Sequence, residues 1–225
     1  MDQAAAAGVS PKQNDEDAAS LRRAGGRPTR ARADEIKSAI FAAALTEFSE
    51  RGFHGGSIVR IAELANVTRA TVYKHFSSKE VLLELLARHT STRLRTSIDD
   101  VIDLGRPIWE VLQEVGRCFY KDSVASDSKA ISRILVMESE RFPEIVQKGY
   151  ELRFYALEPL ASYLVTLSMN GKIAVDDAPR AAEQFMHLVT GSVDLLFAKN
   201  AITGKEQEQW IASAVRIFLH GVLRA

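Results

Sequence analysis

The run Arg69-Ala-Thr-Val-Tyr-Lys-His75 holds the side chains with the most chemistry to offer in this chain. It sets an arginine, a threonine, a tyrosine, a lysine and a histidine close together with no acid among them. Such groups donate hydrogen bonds, and Arg69 and Lys74 add positive charge. Their natural partners are phosphate oxygens and the acceptors on base edges. Catalytic or metal chemistry fits less well. His54, His75, His89, His187 and His220 are scattered without cysteine or carboxylate at matching spacing, and no metal-ligand or glycine-rich phosphate motif occurs. The expectation is no catalytic residue, no metal, no cofactor and no enzymatic activity.

Those donors need elements that hold them outward. Val72 and Phe76 stand four apart and can anchor one helix face in a core, which leaves Arg69, Ala70, Thr71, Tyr73 and Lys74 on the opposite face. Thr68 is an N-cap candidate for that helix, with Thr71 three residues on. Asn66 tolerates left-handed backbone angles better than any residue but glycine, so it can close the preceding helix and reverse the chain. That preceding helix starts at Ser57, whose hydroxyl can accept from free N–H groups of the first turn, and it carries Ile61, Leu64 and Ala65 on one face. Ser77-Ser-Lys-Glu80 has capping-box form and opens a further helix. Upstream, Ile36, Ile40, Ala44 and Phe48 recur at four-residue spacing in a first helix from near Asp34 to Arg51, with Gly52 at its end and Phe53 as the apolar contact of the cap. Helix, tight turn and helix is the layout that presses a recognition helix into the DNA major groove.

The stretch from about Asp34 to Leu86 resembles the DNA-binding domain of the TetR family of bacterial transcriptional regulators. The carrying residues are Gly52-Phe53, Ile61-Ala62, Val67-Thr68, Thr71-Val-Tyr-Lys-His-Phe76 and Ser78-Lys-Glu-Val-Leu82. Asn66 stands where the family often has glycine and can adopt the same geometry. The resemblance implies an all-α fold. An N-terminal three-helix helix-turn-helix DNA-binding domain (33–86) would join a larger C-terminal helical bundle domain (87–225) that dimerises and binds an effector. It further implies a sequence-specific transcriptional regulator, by family default a ligand-relieved repressor, acting as a homodimer on a palindromic double-stranded operator with an unknown small-molecule effector. Ser57, Thr68, Arg69, Ala70, Thr71, Tyr73, Lys74, His75 and Lys79 are the DNA-binding candidates. Arg69 suits a guanine edge, while Tyr73, Lys74 and His75 suit phosphates. Ser57 and Lys79, near helix N-termini, suit the backbone on either side of the groove. Two other classes remain open: a non-specific nucleoid-type DNA binder, and a helical interaction module whose charged faces are only solvated.

Composition narrows the setting. The chain has 225 residues, a formal net charge of zero and 46% hydrophobic residues. The zero hides a division, because Arg22 to Arg95 hold 14 Lys+Arg against 7 Asp+Glu. Positive charge confined to one segment is the electrostatic footprint of a nucleic-acid binder. No stretch approaches the roughly 20 apolar residues that cross a bilayer, and the opening Met-Asp-Gln-Ala-Ala-Ala-Ala has neither a basic leader nor an apolar run. The expected setting is cytoplasmic, with no membrane partner. The lone Cys118 fits that reducing compartment, and its spacing with Val111, Val115 and Phe119 suits a buried structural residue.

Residues 1–32 have the composition of a disordered arm that ends in Arg22, Arg23, Arg27, Arg30 and Arg32. Arg27, Arg30 and Arg32 are candidates for minor-groove contact, and a solubilising tail explains them equally well. Beyond Leu86 every segment reads as helix. One runs from near Ser78 towards Leu104 until Gly105 and Pro107 break it, and another carries Ile108, Val111, Leu112, Val115 and Phe119. A third is capped by Ser128, and a long one opens at Pro143, contains Pro159 and ends at Asn170-Gly171. A fifth starts near Asp177 and bears Phe185, Leu188 and Leu195, and the last opens with Thr203-Gly-Lys-Glu206. Trp109, Phe119, Met137, Glu138, Tyr150, Phe154, Met186 and His187 are the candidate pocket residues, since effector pockets are lined by aromatic and soft side chains with a few polar groups. Core packing uses the same residue types. The stripe Ile211, Val215, Phe218 and Val222 is the candidate dimer seam, with ordinary core as the alternative. Glu138 shares a face with Ile131, Ile134 and Leu135, so it sits at a rim or is an unusual buried carboxylate that marks a site.

Overall fold

The computed structural model describes residues 30–141, 143–191 and 202–222. Its elements are helices, with no strand among the described residues. In chain order they are α1 (Arg30–Gly55), α2 (Ile58–Leu64), α3 (Arg69–His75), α4 (Lys79–Asp99), α5 (Ile108–Val124), α6 (Ser126–Glu138), α7 (Pro143–Met169), α8 (Ala178–Thr190) and α9 (Gly204–Val222). The all-α expectation holds. Arg27 and Leu195 lie outside the described residues. Helix α1 opens at Arg30, earlier than the expected end of the arm at 32, and Arg32 is exposed.

The head of the molecule is built from α1 beyond Ser38, α2, α3 and the start of α4. Ile40, Ala44 and Phe48 are buried, as their four-residue spacing requires, and so are Phe53, Val72, Phe76, Leu82 and Leu83. Gly52, at φ 70°, breaks α1 and turns Phe53 inward, where its ring meets Phe48 edge-on at 5.4 Å. Two expected caps are displaced by one residue or lost. The cap of α4 is Ser78 rather than Ser77, its Oγ accepting from the Val81 N–H at 3.3 Å. Ser57 occupies the N-cap position of α2 with extended backbone, yet its hydroxyl makes no cap bond. On α2 the buried pair is Ile61 and Ala62, whereas Leu64 is exposed, because this short helix docks through one edge only.

The body consists of α4 to α9 around one core that includes Val111, Leu112, Val115, Phe119, Leu157, Leu160, Leu164, Phe185 and Phe218. Helix α4 stops at Asp99, short of Leu104: Val101 and Ile102 leave the helical path to pack against this core, and the acidic Asp99-Asp100 pair sits badly at the negative end of a helix dipole. Helix α6 opens at Ser126, so Ser128 lies inside it, buried, with its hydroxyl committed to Asp122 at 2.9 Å rather than to a cap. Asp177 caps α8 as expected by accepting from the Arg180 N–H at 3.0 Å. Gly171, at φ 70°, closes α7 with the two bonds of a Schellman turn, Gly171 N–H to Ser168 and Lys172 N–H to Leu167. Cys118 is half-buried and donates to the Ser97 carbonyl at 3.3 Å, and burial pushes its thiol up, which leaves it an inert packing residue.

Candidate nucleic-acid interface and internal cavity

The turn between α2 and α3 is built from local chemistry. Asn66 takes φ 52°, its N–H donates to the Glu63 carbonyl at 3.0 Å, and the Val67 N–H reaches back to Ala62 at 3.0 Å. These are again the two bonds of a Schellman turn, with asparagine in the left-handed position. Thr68 then caps α3. Its Oγ1 accepts from the Thr71 N–H at 3.1 Å and lies 2.8 Å from the Thr71 hydroxyl. Val72 and the Phe76 ring fix the inner face, the latter 5.5 Å from Phe41.

With its inner face fixed, α3 presents Arg69, Ala70, Tyr73 and Lys74 to solvent, with Thr71 and His75 half-buried at the edges. The Arg69 guanidinium lies over the Tyr73 ring at 5.3 Å, a cation–π contact that narrows its rotamers while the residue stays exposed. Thus Thr68, Arg69, Ala70, Thr71, Tyr73, Lys74 and His75 come together on one short element, as expected. Ser57 is exposed at the N-cap position of α2. Lys79 is placed differently. Its Nζ donates to the carbonyls of His54 at 2.9 Å and Gly56 at 3.3 Å, and it rests on the Phe53 ring at 4.8 Å. The ammonium therefore ties the start of α4 to the end of α1, where orphan carbonyls attract a cation.

Glu47 belongs to this support although its role did not stand out in the sequence. It is 1% exposed, and its Oε1 accepts the Ser57 N–H at 3.0 Å, which pins the entry of α2 to the middle of α1. Its other oxygen lies 3.7 Å from Arg51 Nε. The available signal was its spacing: Glu47 falls on the Ile40–Ala44 face, where a carboxylate is out of place unless bonded. Gly56 is equally demanding, since a Cβ there would come within 2.6 Å of the Phe48 ring.

Between α4, α5, α6, α7 and α8 the body holds a cavity of about 530 Å³ that is partly open to solvent, within the range of small-molecule sites. Leu94, Phe119, Leu135, Leu157 and Met186 make its apolar walls, while Ser91, Ser132 and Thr190 supply hydroxyls. Two ion-pair groups edge it. Arg153 bonds Glu183 at 3.0 Å and stacks on Tyr150 at 5.0 Å, and His187 stands 3.8 Å from the same Glu183. On the other side Arg93 of α4 meets Asp122 at 3.2 Å, Asp127 at 3.1 Å and the Ser128 hydroxyl at 3.1 Å. Arg93 holds the Asp127 carboxyl below its usual value, whereas burial pushes that of Asp122 up against the opposing bonds from Ser128 and Arg93.

Of the expected pocket residues, Phe119, Met186 and His187 line this cavity. Trp109, Met137, Tyr150 and Phe154 do not; each is exposed, Met137 at 73%. They lie on outward faces of α5, α6 and α7, which residue type alone could not distinguish. Glu138 is buried, but at the end of α6 beside the head rather than in the cavity wall. The expected seam also differs. Ile211, Val215 and Phe218 are packed inside the chain's own core and Val222 is half-buried against it, while Trp210 and Ile217 of α9 face outward, 46% and 58% exposed. No group of three or more His, Cys, Asp or Glu suited to a metal occurs among the described residues, and none of their helices is long and apolar enough to cross a membrane.

Comparison with known proteins matches both parts. Residues 40–86 match the family model for bacterial regulatory proteins of the tetR family. Residues 110–221 match the C-terminal domain of AefR-like transcriptional repressors. The HTH-type transcriptional regulator YvkB of Bacillus subtilis is 26% identical over 185 residues, which is 81% of this chain and 95% of that one. The solved structure of the flavonoid-responsive regulator FrrA aligns with a TM-score of 0.69 at 29% identity, over 84% of this chain and 98% of that one. A TetR-family regulator of Mesorhizobium loti shares the fold with a TM-score of 0.73 at 24% identity, over 88% of this chain and the whole of that one. With a capped, donor-rich α3 in one matched segment and a cavity-bearing helical body in the other, the chain belongs to the TetR family of bacterial transcriptional regulators.

Proposed function

We propose that this regulator is a homodimeric, cytoplasmic repressor that grips a palindromic operator with α3 of each chain and is released when a small ligand enters the cavity. The observation that carries this reading is the course of α4. It opens inside the head, where Ser78 caps it and Lys79 ties it to α1, and it continues into the cavity wall at Thr90, Ser91 and Leu94. A ligand that prefers a different α4 position changes the head's affinity for DNA by the difference in its own affinity for the two forms, and by no more.

In this reading residues 33–86 are the DNA-binding domain and 87–225 the dimerisation and effector domain. Arg69 reads a base edge, bonding both major-groove acceptors of guanine. Tyr73, Lys74, His75 and the Ser57 hydroxyl meet phosphates, and Lys79 contributes mainly by holding the head together. The two recognition helices stand about one DNA turn apart, roughly 34–36 Å. The dimer seam runs over the outward face of α9 at Trp210 and Ile217. The description of FrrA as flavonoid-responsive and of the matched C-terminal domain as a repressor's both support the assignment.

The test is transcription from a promoter carrying the operator selected by the protein from random DNA, compared with and without the protein. Repression predicts a fall in transcript, and a rise would make the protein an activator. An absence of any enriched palindrome would favour non-specific DNA binding.

A further inference from the structure

Two carboxylates are buried among the described residues, Glu47 and Glu138. Glu47 bonds within the head, through Oε1 to the Ser57 N–H. Glu138 is the last residue of α6 and is 7% exposed, and its Oε1 accepts the His54 backbone N–H at 3.4 Å. It also lies 3.8 Å from where a side chain on Gly52 would begin, at the break in α1. From His54 the connection continues, because the carbonyls of His54 and Gly56 hold Lys79 at the start of α4, and Gly56 directly precedes the entry of α2. Near its other end α6 is tied to α4, where Asp127 and Ser128 bond Arg93. Between these attachments α6 forms cavity wall at Ile131, Ser132 and Leu135. It is thus a lever held near both ends with its middle against the cavity.

We propose that Glu138 is the positioning residue through which cavity occupancy reaches the DNA-binding head. Its bond to the His54 amide belongs to the form that grips DNA, and an occupant that pushes α6 outward breaks it. A buried carboxylate makes a sensitive joint, because losing a hydrogen-bond partner costs it far more than the same loss costs an exposed one. The proposal rests on the ligand-relief reading above.

The occupant in the test is a side chain, so no effector needs to be known. In the full chain, Ser132→Phe places a ring in the cavity from α6 itself; Leu135→Trp on the same wall replaces it if Ser132→Phe lacks a cooperative melting transition. Operator Kd is measured for the filled and unfilled cavity in three backgrounds: the parent, Glu138→Ala and Glu138→Gln. In the parent background filling should weaken binding about five-fold or more, the lower end of typical allosteric coupling. Glu138→Ala alone should weaken it by a similar factor, and filling should then change it less than about two-fold. Glu138→Gln, whose amide oxygen still accepts from His54, should restore most of the response to filling. Hydrogen exchange at the His54 amide should rise in the filled parent and in Glu138→Ala. Equal weakening by filling in the parent and in Glu138→Ala would overturn the role of Glu138 and leave ligand relief standing. No weakening by filling in the parent would overturn ligand relief, and this proposal with it.

Discussion

Helices α3 and α9 are both amphipathic, yet they are held in different ways. Helix α3, from Arg69 to His75, is set by residues next to it in sequence: Asn66 turns the chain, Thr68 caps the first turn, and Val72 with Phe76 anchors the inner face. Its outward face follows from that short stretch. Helix α9, from Gly204 to Val222, is set by remote partners. Ile211 packs over Gly116 of α5, where a Cβ would come within 2.7 Å of its Cγ2, and the Phe218 ring meets Phe185 of α8 at 5.0 Å. Arg117 of α5 reaches Glu208 at 2.8 Å, and Trp210 Nε1 donates to the Val189 carbonyl at 2.6 Å. An element positioned by its neighbours in sequence declares its exposed face; an element positioned at long range declares only that it has two faces.

The largest effect should separate the two faces of α9. Val215 is 3% exposed, so Val215→Glu forces a charge without a partner into the core at a cost of several kcal/mol, a large part of the stability of an ordinary domain. Loss of the cooperative melting transition by circular dichroism is expected. Ile217→Glu, on the outward face, should keep helix content and melting temperature nearly unchanged while shifting sedimentation at micromolar concentration towards monomer. A stable Val215→Glu monomer would reverse the assignment of the two faces.

Substitutions at α3 should reverse this pattern, changing function with little change in stability. Arg69→Ala removes an exposed side chain, so the melting temperature should hold while binding to the matched operator falls by about 1–3 kcal/mol, the worth of one good bidentate base contact. At the turn both quantities should move. Asn66→Ala puts a Cβ-bearing residue without a compensating side-chain bond at φ 52°, which should cost about 1–2 kcal/mol of stability, whereas Asn66→Gly should be tolerated. Thr68→Ala should cost about 1 kcal/mol through the lost cap, measurable by urea denaturation.

The smallest effect concerns pH in the body. Asp127 is held below its usual value by Arg93, so its folded pKa lies beneath its unfolded one. Its contribution to stability is complete above the unfolded value, near 4, and fades as pH falls through the folded one. Asp122 is shifted the opposite way by burial and is more stably accommodated when protonated. Asp127→Asn should therefore flatten the loss of stability below about pH 4, read from melting temperatures across that range.

The same contrast explains what could be read from the sequence. The α2–α3 turn, the Thr68 cap, the Val72–Phe76 anchor and the exposed donors were all legible, because each rests on residues within a few positions. The breaks at Gly52 and Gly171 were legible for the same reason. The body was legible as helices but not as an arrangement. Ile211, Val215 and Phe218 form a stripe equally suited to a seam or a core, and only the placement of α5 and α8 decides. Trp109, Met137, Tyr150 and Phe154 have the residue types of a pocket, but the helix rotations that turn them outward come from long-range packing. Their neighbours in sequence suit Ser128 to a cap and Lys79 to a DNA clamp, whereas their bonds to Asp122, Arg93, His54 and Gly56 depend on residues up to 35 positions away.

The most direct test of sequence-specific recognition through α3 is operator selection from random DNA, run in parallel with the full chain and with its Arg69→Ala variant. The parent should enrich a palindrome whose half-sites lie about one helical turn apart. The variant should lose its preference at one symmetric pair of guanines while keeping the rest of the site. Enrichment of no palindrome by the parent, or an unchanged preference at every base pair in the variant, would contradict recognition through α3.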